Sequence, residues 1–109
     1  MLNPMRKAAV FFRDSRAGIL EETEHGYRFT YDQKYLDSSD PRPISIHFPL
    51  VRQPFTSPTF FPFFDGLIPE GWLLTLVERN WKLNVRDRMG LLLTTCRDCI
   101  GAVSVLPEE

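Results

Sequence analysis

The sequence predicts an α+β domain: a small antiparallel β-sheet, laid out as a meander, packed with two helices in the C-terminal half and closed by a final strand. Three observations predict it. Short apolar–polar alternations separated by turn residues fill the first half. Two stretches of helical period occupy residues 69–96. A short apolar run, Ala102–Leu106, returns as a strand at the end.

Taken in order, Lys7–Arg13 and Ala17–Glu22 read as two short strands. Asp14-Ser15-Arg16 between them is turn chemistry, with Gly18 just beyond. Thr23-Glu24-His25-Gly26 links to a third strand and ends on a residue that tolerates positive φ. In that third strand Tyr27, Phe29 and Tyr31 alternate with Arg28 and Thr30, the period of a half-buried strand. After the polar loop Asp37–Pro43, Ile44, Ile46 and Phe48 alternate with Ser45 and His47, which predicts a fourth strand stopped by Pro49. Residues 50–62 hold Pro54, Pro58 and Pro62 and cannot be regular throughout. They are still apolar, so they are expected to wrap the core.

Pro69–Trp81 reads as a helix. Asn84 is placed to cap a second one, with Asp87 three residues on. Val85, Met89, Leu92, Leu93 and Cys96 then form one apolar stripe.

At 109 residues the chain is a single domain over 1–109. Met5, followed by Arg6-Lys7, is a second candidate start, which would make residues 1–4 an extension. Surface scaling gives roughly 6,200 Å² folded against roughly 18,000 Å² unfolded, enough burial to fold without staples. Thirteen basic and 14 acidic residues leave a net charge of −1. That balance gives no support to binding through phosphate contacts. No apolar run reaches the ~20 residues of a membrane helix, and the first ten residues carry no secretory h-region. A cytoplasmic protein is expected, with no membrane and no direct nucleic acid.

Phe63-Phe64-Asp65-Gly66-Leu67-Ile68-Pro69-Glu70 and Arg97-Asp98-Cys99-Ile100-Gly101-Ala102-Val103 are distinctive in this order. With Tyr27–Tyr31, Tyr35-Leu36 and Ile44–Leu50 before them, they resemble the N-terminal subdomain of HipA-type serine/threonine kinases. There the corresponding runs are F-F-D-G-L-L-P-E, G-R-D-C-I-G-A-V and L-S-L-S-L-P-L. Two departures stand out. His47-Phe48 replaces a Ser-Leu pair, and Cys96 stands where the family has Gly, which puts the turn before Arg97 in doubt.

In that family the subdomain precedes a much larger kinase core, whereas this sequence ends at Glu109. It contains no Gly-rich phosphate loop and no catalytic Asp and Asn segments, the parts that hold metal and nucleotide. The resemblance therefore implies a non-catalytic protein, not an enzyme, with no catalytic residues, cofactor or metal. It is similar to the stand-alone HipS antitoxins of tripartite HipBST systems. That implies an antitoxin that binds and neutralises a HipA-like (HipT-like) toxin kinase supplied as a separate chain. A HipB-like helix-turn-helix DNA-binding protein is the third member of the complex. Two alternatives stay open: a scaffold joining kinase and DNA-binding partner for operator repression, or an aromatic-rich β module stacking on single-stranded nucleic acid.

Individual residues support the binding reading over a catalytic one. Cys96 and Cys99 have C-x-x-C spacing but lack the βαβ context of a redox motif and the four ligands of a structural zinc. A reduced, buried core role is expected, with no disulfide in a reducing compartment. His25 falls in a turn and His47 on an exposed sheet face. Arg97 and Asp98 read as a structural turn pair.

The candidates for partner contact are aromatic or apolar. Trp72, Leu76, Leu73, Val77, Trp81 and Leu74 span about 200° of a helical wheel, more than one sheet face needs. Trp72, Trp81 and Leu74 lie at the margins of that arc and are the first candidates. Phe55, Phe60 and Phe61 are the second set, in an aromatic cluster whose Phe63 and Phe64 are assigned to the core.

Overall fold

The computed structural model describes residues 5–68, 71, 87–96 and 102–108, and its architecture grows from one hairpin. β1 (Lys7–Phe12) and β2 (Ser15–Thr23) pair antiparallel, with Phe12 opposite Ser15. The turn is therefore Arg13-Asp14, one residue earlier than the turn chemistry suggests. Ser15 and Arg16 belong to β2. A bulge accommodates the shift: Val10 faces Gly18 while Phe11 faces Arg16, leaving Ala17 as the extra residue. Arg13 takes φ 55°, an uncommon conformation for a residue with a Cβ.

β3 (Gly26–Tyr31) pairs with β2 through a turn at Glu24-His25. Gly26 has φ 145°, and a Cβ there would stand 2.0 Å from the Ser57 carbonyl oxygen. Both the backbone angle and the close approach of the next strand require glycine. That next strand is β4 (Phe55–Ser57), held to three residues between Pro54 and Pro58. β5 (Val103–Glu108) crosses back to pair with β1 on the opposite edge. The order is β4-β3-β2-β1-β5, a four-strand meander completed by the final strand. Pro107 is tolerated in β5 because that strand is an edge.

The predicted strand at Ile44–Phe48 is not one. Ile44 and Phe48 are buried, but Ile46 between them is 91% exposed. The segment is a turn, with Phe48 N–H donating to Ser45 O. Tyr31 pins it: its hydroxyl donates to Phe48 O at 2.5 Å and accepts from Ile44 N at 3.0 Å. Pro43 and Pro49 at either end lack the donors a ladder needs, and the side chain of Tyr31 replaces that ladder.

Three helices occur among the described residues. α1 (Gln33–Leu36) and α2 (Pro62–Asp65) are single turns. α2 starts with proline at its first position, where the missing N–H costs nothing. α3 (Arg88–Thr95) is capped by Asp87, whose carboxylate accepts from Gly90 N at 3.1 Å. The expected cap, Asn84, and the expected helix Pro69–Trp81 fall outside the described residues, Gly71 excepted. On α3, Met89, Leu91 and Leu92 are fully buried and Leu93 partly so.

The helices and the 44–50 turn pack on one cluster with Val10, Leu20, Phe29, Tyr31 and Val105 from the sheet. Phe29, fully buried, touches the rings of Tyr31, Phe48, Phe55 and Phe64, and Phe48 adds contacts to Phe61 and Phe63. Phe64 is fully buried and Phe63 partly, so the core assignment holds fully for Phe64. Cys96 is also fully buried, but it is disulfide-bonded, which corrects the expectation of a reduced thiol.

Candidate partner-binding surface

The edge strand β4, the 44–50 turn and α2 meet around an apolar groove of about 310 Å³. Its walls are Phe48, Phe55, Phe61, Pro62 and Phe63, with His47 and Thr56 at the polar side. Each wall is placed by a local feature. Phe48 hangs from the turn that Tyr31 holds. Phe55 is set opposite Phe29 by the β3–β4 register. Phe61 and Phe63 flank the proline that starts α2. Edge-on ring contacts lock them together: Phe48 lies 5.0 Å from Phe55, 5.3 Å from Phe61 and 5.9 Å from Phe63.

The candidates of the aromatic cluster therefore divide. Phe55 and Phe61 line the groove, and Phe61 is 7% exposed, so most of its ring serves the core. Phe60 is separate and rests edge-on against Tyr27 at 5.0 Å. The sequence does not single out His47 or Ile46 for contact. Both are exposed in the turn beside the groove, and the flanking Pro43 and Pro49 are the one local signal of it.

Trp72, Leu74 and Trp81 lie outside the described residues, as do Arg97, Asp98 and Cys99. The two ends of their segment are described, and ion pairs hold them. Arg88 Nε donates to Asp65 Oδ1 at 2.5 Å, joining α3 to α2. Arg6 donates through Nη1 and Nη2 to Asp87 at 2.9 and 2.6 Å, and through Nε and Nη2 to Glu22 at 2.7 and 3.0 Å. One guanidinium thus joins β1, β2 and the start of α3. It holds the Asp87 carboxyl below the usual carboxylate range, and Asp87 and then Glu22 raise Arg6 in return. Burial pushes the Tyr31 hydroxyl up, keeping it protonated as the donor to Phe48.

Among the described residues no helix is long and apolar enough to cross a membrane.

Comparison with known proteins agrees with this geometry. A solved structure described as the N-terminal domain of HipA toxin superposes with a TM-score of 0.74 at 30% identity, covering 100% of this chain and 98% of that one. A protein of Haemophilus influenzae strain Rd, itself uncharacterized, is 32% identical over 109 residues, covering 100% of this chain and 99% of its own. "Putative kinase Y4mE" of Sinorhizobium fredii is 29% identical over 93 residues, which are 84% of this chain and 22% of the kinase-named one. The family model of the HipA N-terminal domain matches residues 8–106. The chain belongs to the HipA N-terminal domain family.

Proposed function

We propose that this chain is a non-catalytic antitoxin subunit: it binds a HipA-type kinase toxin supplied as a separate chain and holds it inactive. A helix-turn-helix DNA-binding protein completes the complex, in the cytoplasm. The observation that carries the reading is the family match over residues 8–106. The relatives add support. The same domain spans nearly the whole Haemophilus protein, yet makes up 22% of a chain named as a kinase. A domain used both within and apart from a kinase chain suits a regulator acting in trans.

The groove of Phe48, Phe55, Phe61 and Phe63, together with Trp72, Leu74 and Trp81, is the proposed contact region. A standard interface takes about 800 Å² per partner, roughly a tenth of the 7536 Å² surface. A domain of this size can offer that area and keep its core.

The test uses the purified chain and a HipA-type kinase lacking this subdomain. The expected result is a stable complex on gel filtration and suppressed autophosphorylation. Absence of a complex at micromolar concentrations would overturn the proposal. A complex with undiminished kinase activity would convert the role to a scaffold.

A further inference from the structure

We infer that the β1–β2 turn and the 38–42 loop form a binding site for a phosphate monoester. A cavity of about 330 Å³ opens between them, lined by Arg13, Ser15, Ser38, Ser39, Asp40 and Arg42. Two guanidinium groups and the Ser15 and Ser39 hydroxyls line one concave space, a donor set suited to a tetrahedral oxyanion. This site is apart from the aromatic groove, shares no lining residue with it, and does not depend on the kinase-binding reading.

The Arg13 guanidinium makes no ion pair among the described residues. It lies 5.7 Å from the centroid of the Phe12 ring, so one face is held and its N–H edge remains available. Ser15 and Ser39 hydroxyls make no hydrogen bond among the described residues. The remaining lining is built. Tyr35 hydroxyl donates to Arg42 O at 2.6 Å and accepts from Arg42 N at 3.1 Å, fixing the loop backbone. Ser38 Oγ donates to Tyr35 O at 2.6 Å, anchoring the other end.

The β1–β2 turn sets the backbone of Arg13. Its φ of 55° is a position where Gly or Asn is favoured, yet an arginine occupies it. A two-residue hairpin turn requires positive φ at its first residue, so the turn accounts for this angle. The position holds the guanidinium at the cavity while its N–H donates to Ala102 O at 2.6 Å.

Asp40 is the one carboxylate in the lining, and it pairs with Arg42 at 3.3 Å. Both side chains are largely exposed, at 77% and 66%, so the pair is weak and a dianion can displace it. Asp40 then acts as a brake on affinity.

Titration of the purified chain with inorganic phosphate and with N-acetyl-O-phosphoserine amide, followed by amide NMR shifts, tests the site. The expected result is saturable movement of the Arg13, Ser15, Ser38, Ser39 and Arg42 amides. Arg13→Gly is expected to melt no lower than the native chain yet bind about tenfold more weakly, as is Arg42→Ala. Asp40→Asn is expected to bind more tightly. Tighter binding of the phosphoserine amide than of phosphate assigns the occupant as a phosphorylated side chain. Equal binding assigns a free phosphate. A native chain with no saturable response to either probe, or variants that bind as the native chain does, would overturn the inference.

Discussion

Arg88 Nε donates to Asp65 Oδ1 at 2.5 Å, so the first residue of α3 is pinned to the last residue of α2 across 23 positions of sequence. The bond joins residues that flank, in sequence, the stretch carrying Trp72, Leu74 and Trp81. Its side chains are 33% and 43% exposed, so it contributes only about 0.2–1 kcal/mol to stability. Under the proposed function its larger role is to present that segment to a partner. Asp65→Ala should lower the melting temperature by only a few degrees, at roughly 4–8 °C per kcal/mol. Kinase affinity should fall by more than that stability loss accounts for. Equal, small changes in both would reduce the pair to a surface contact.

The second prediction concerns acid. Arg6 stays charged throughout the accessible range, so Asp87 carries the titration. Its carboxyl lies below its ordinary value of 3.8, chiefly through the Arg6 hydrogen bonds. A depressed carboxyl contributes stability that is present above the unfolded value and lost as pH falls through the folded one. The loss therefore lies below about pH 4. Asp87→Asn keeps a capping oxygen for Gly90 but removes the charge. Denaturant titrations should find the variant less stable by about 1 kcal/mol near neutrality, a modest figure because Arg6 is partly solvated. The gap should narrow toward pH 2. A gap independent of pH would assign the effect to packing.

The sequence reads the sheet well where alternation and turn chemistry agree. Tyr27, Phe29 and Tyr31 lie in β3, and Gly26 precedes them at positive φ. It misreads Ile44–Phe48 because three alternating residues between prolines suit a turn as well as a strand. The hydroxyl of Tyr31, 13 and 17 residues away, decides between them. α2 is too short to have a period, so only Pro62 hints at it. The groove escapes local reading for the same reason. His47, Phe55 and Phe63 are separated in the chain and joined only by tertiary packing.

Gly26 gives a sharp test of the β3–β4 junction. Its φ of 145°, and the Ser57 carbonyl oxygen 2.0 Å from where a methyl group would sit, leave no room for alanine. Gly26→Ala must distort either the Glu24-His25 turn or the Phe55–Ser57 pairing. A loss of about 2 kcal/mol or more is expected in urea denaturation. Because β4 carries Phe55, the groove should loosen as well, visible as broadened Phe55 and Phe48 ring resonances. A variant with native stability would mean that β4 pairs more flexibly than its register implies.

The last prediction separates core aromatics from anchoring ones. Phe61 is 7% exposed and in ring contact with Phe48 and Phe64, so Phe61→Ala should cost about 3–5 kcal/mol of folding stability. Any loss of partner binding there should follow unfolding. Trp72 is proposed as an anchor instead. Trp72→Ala should keep the melting temperature near that of the native chain while weakening kinase binding by at least about 2 kcal/mol, close to thirtyfold. Thermal melts and binding measured on the same preparations distinguish the two. If Trp72→Ala melts as early as Phe61→Ala, the tryptophan belongs to the core. The anchor must then be sought at Trp81, at Leu74, or at the solvent-facing side of Phe55.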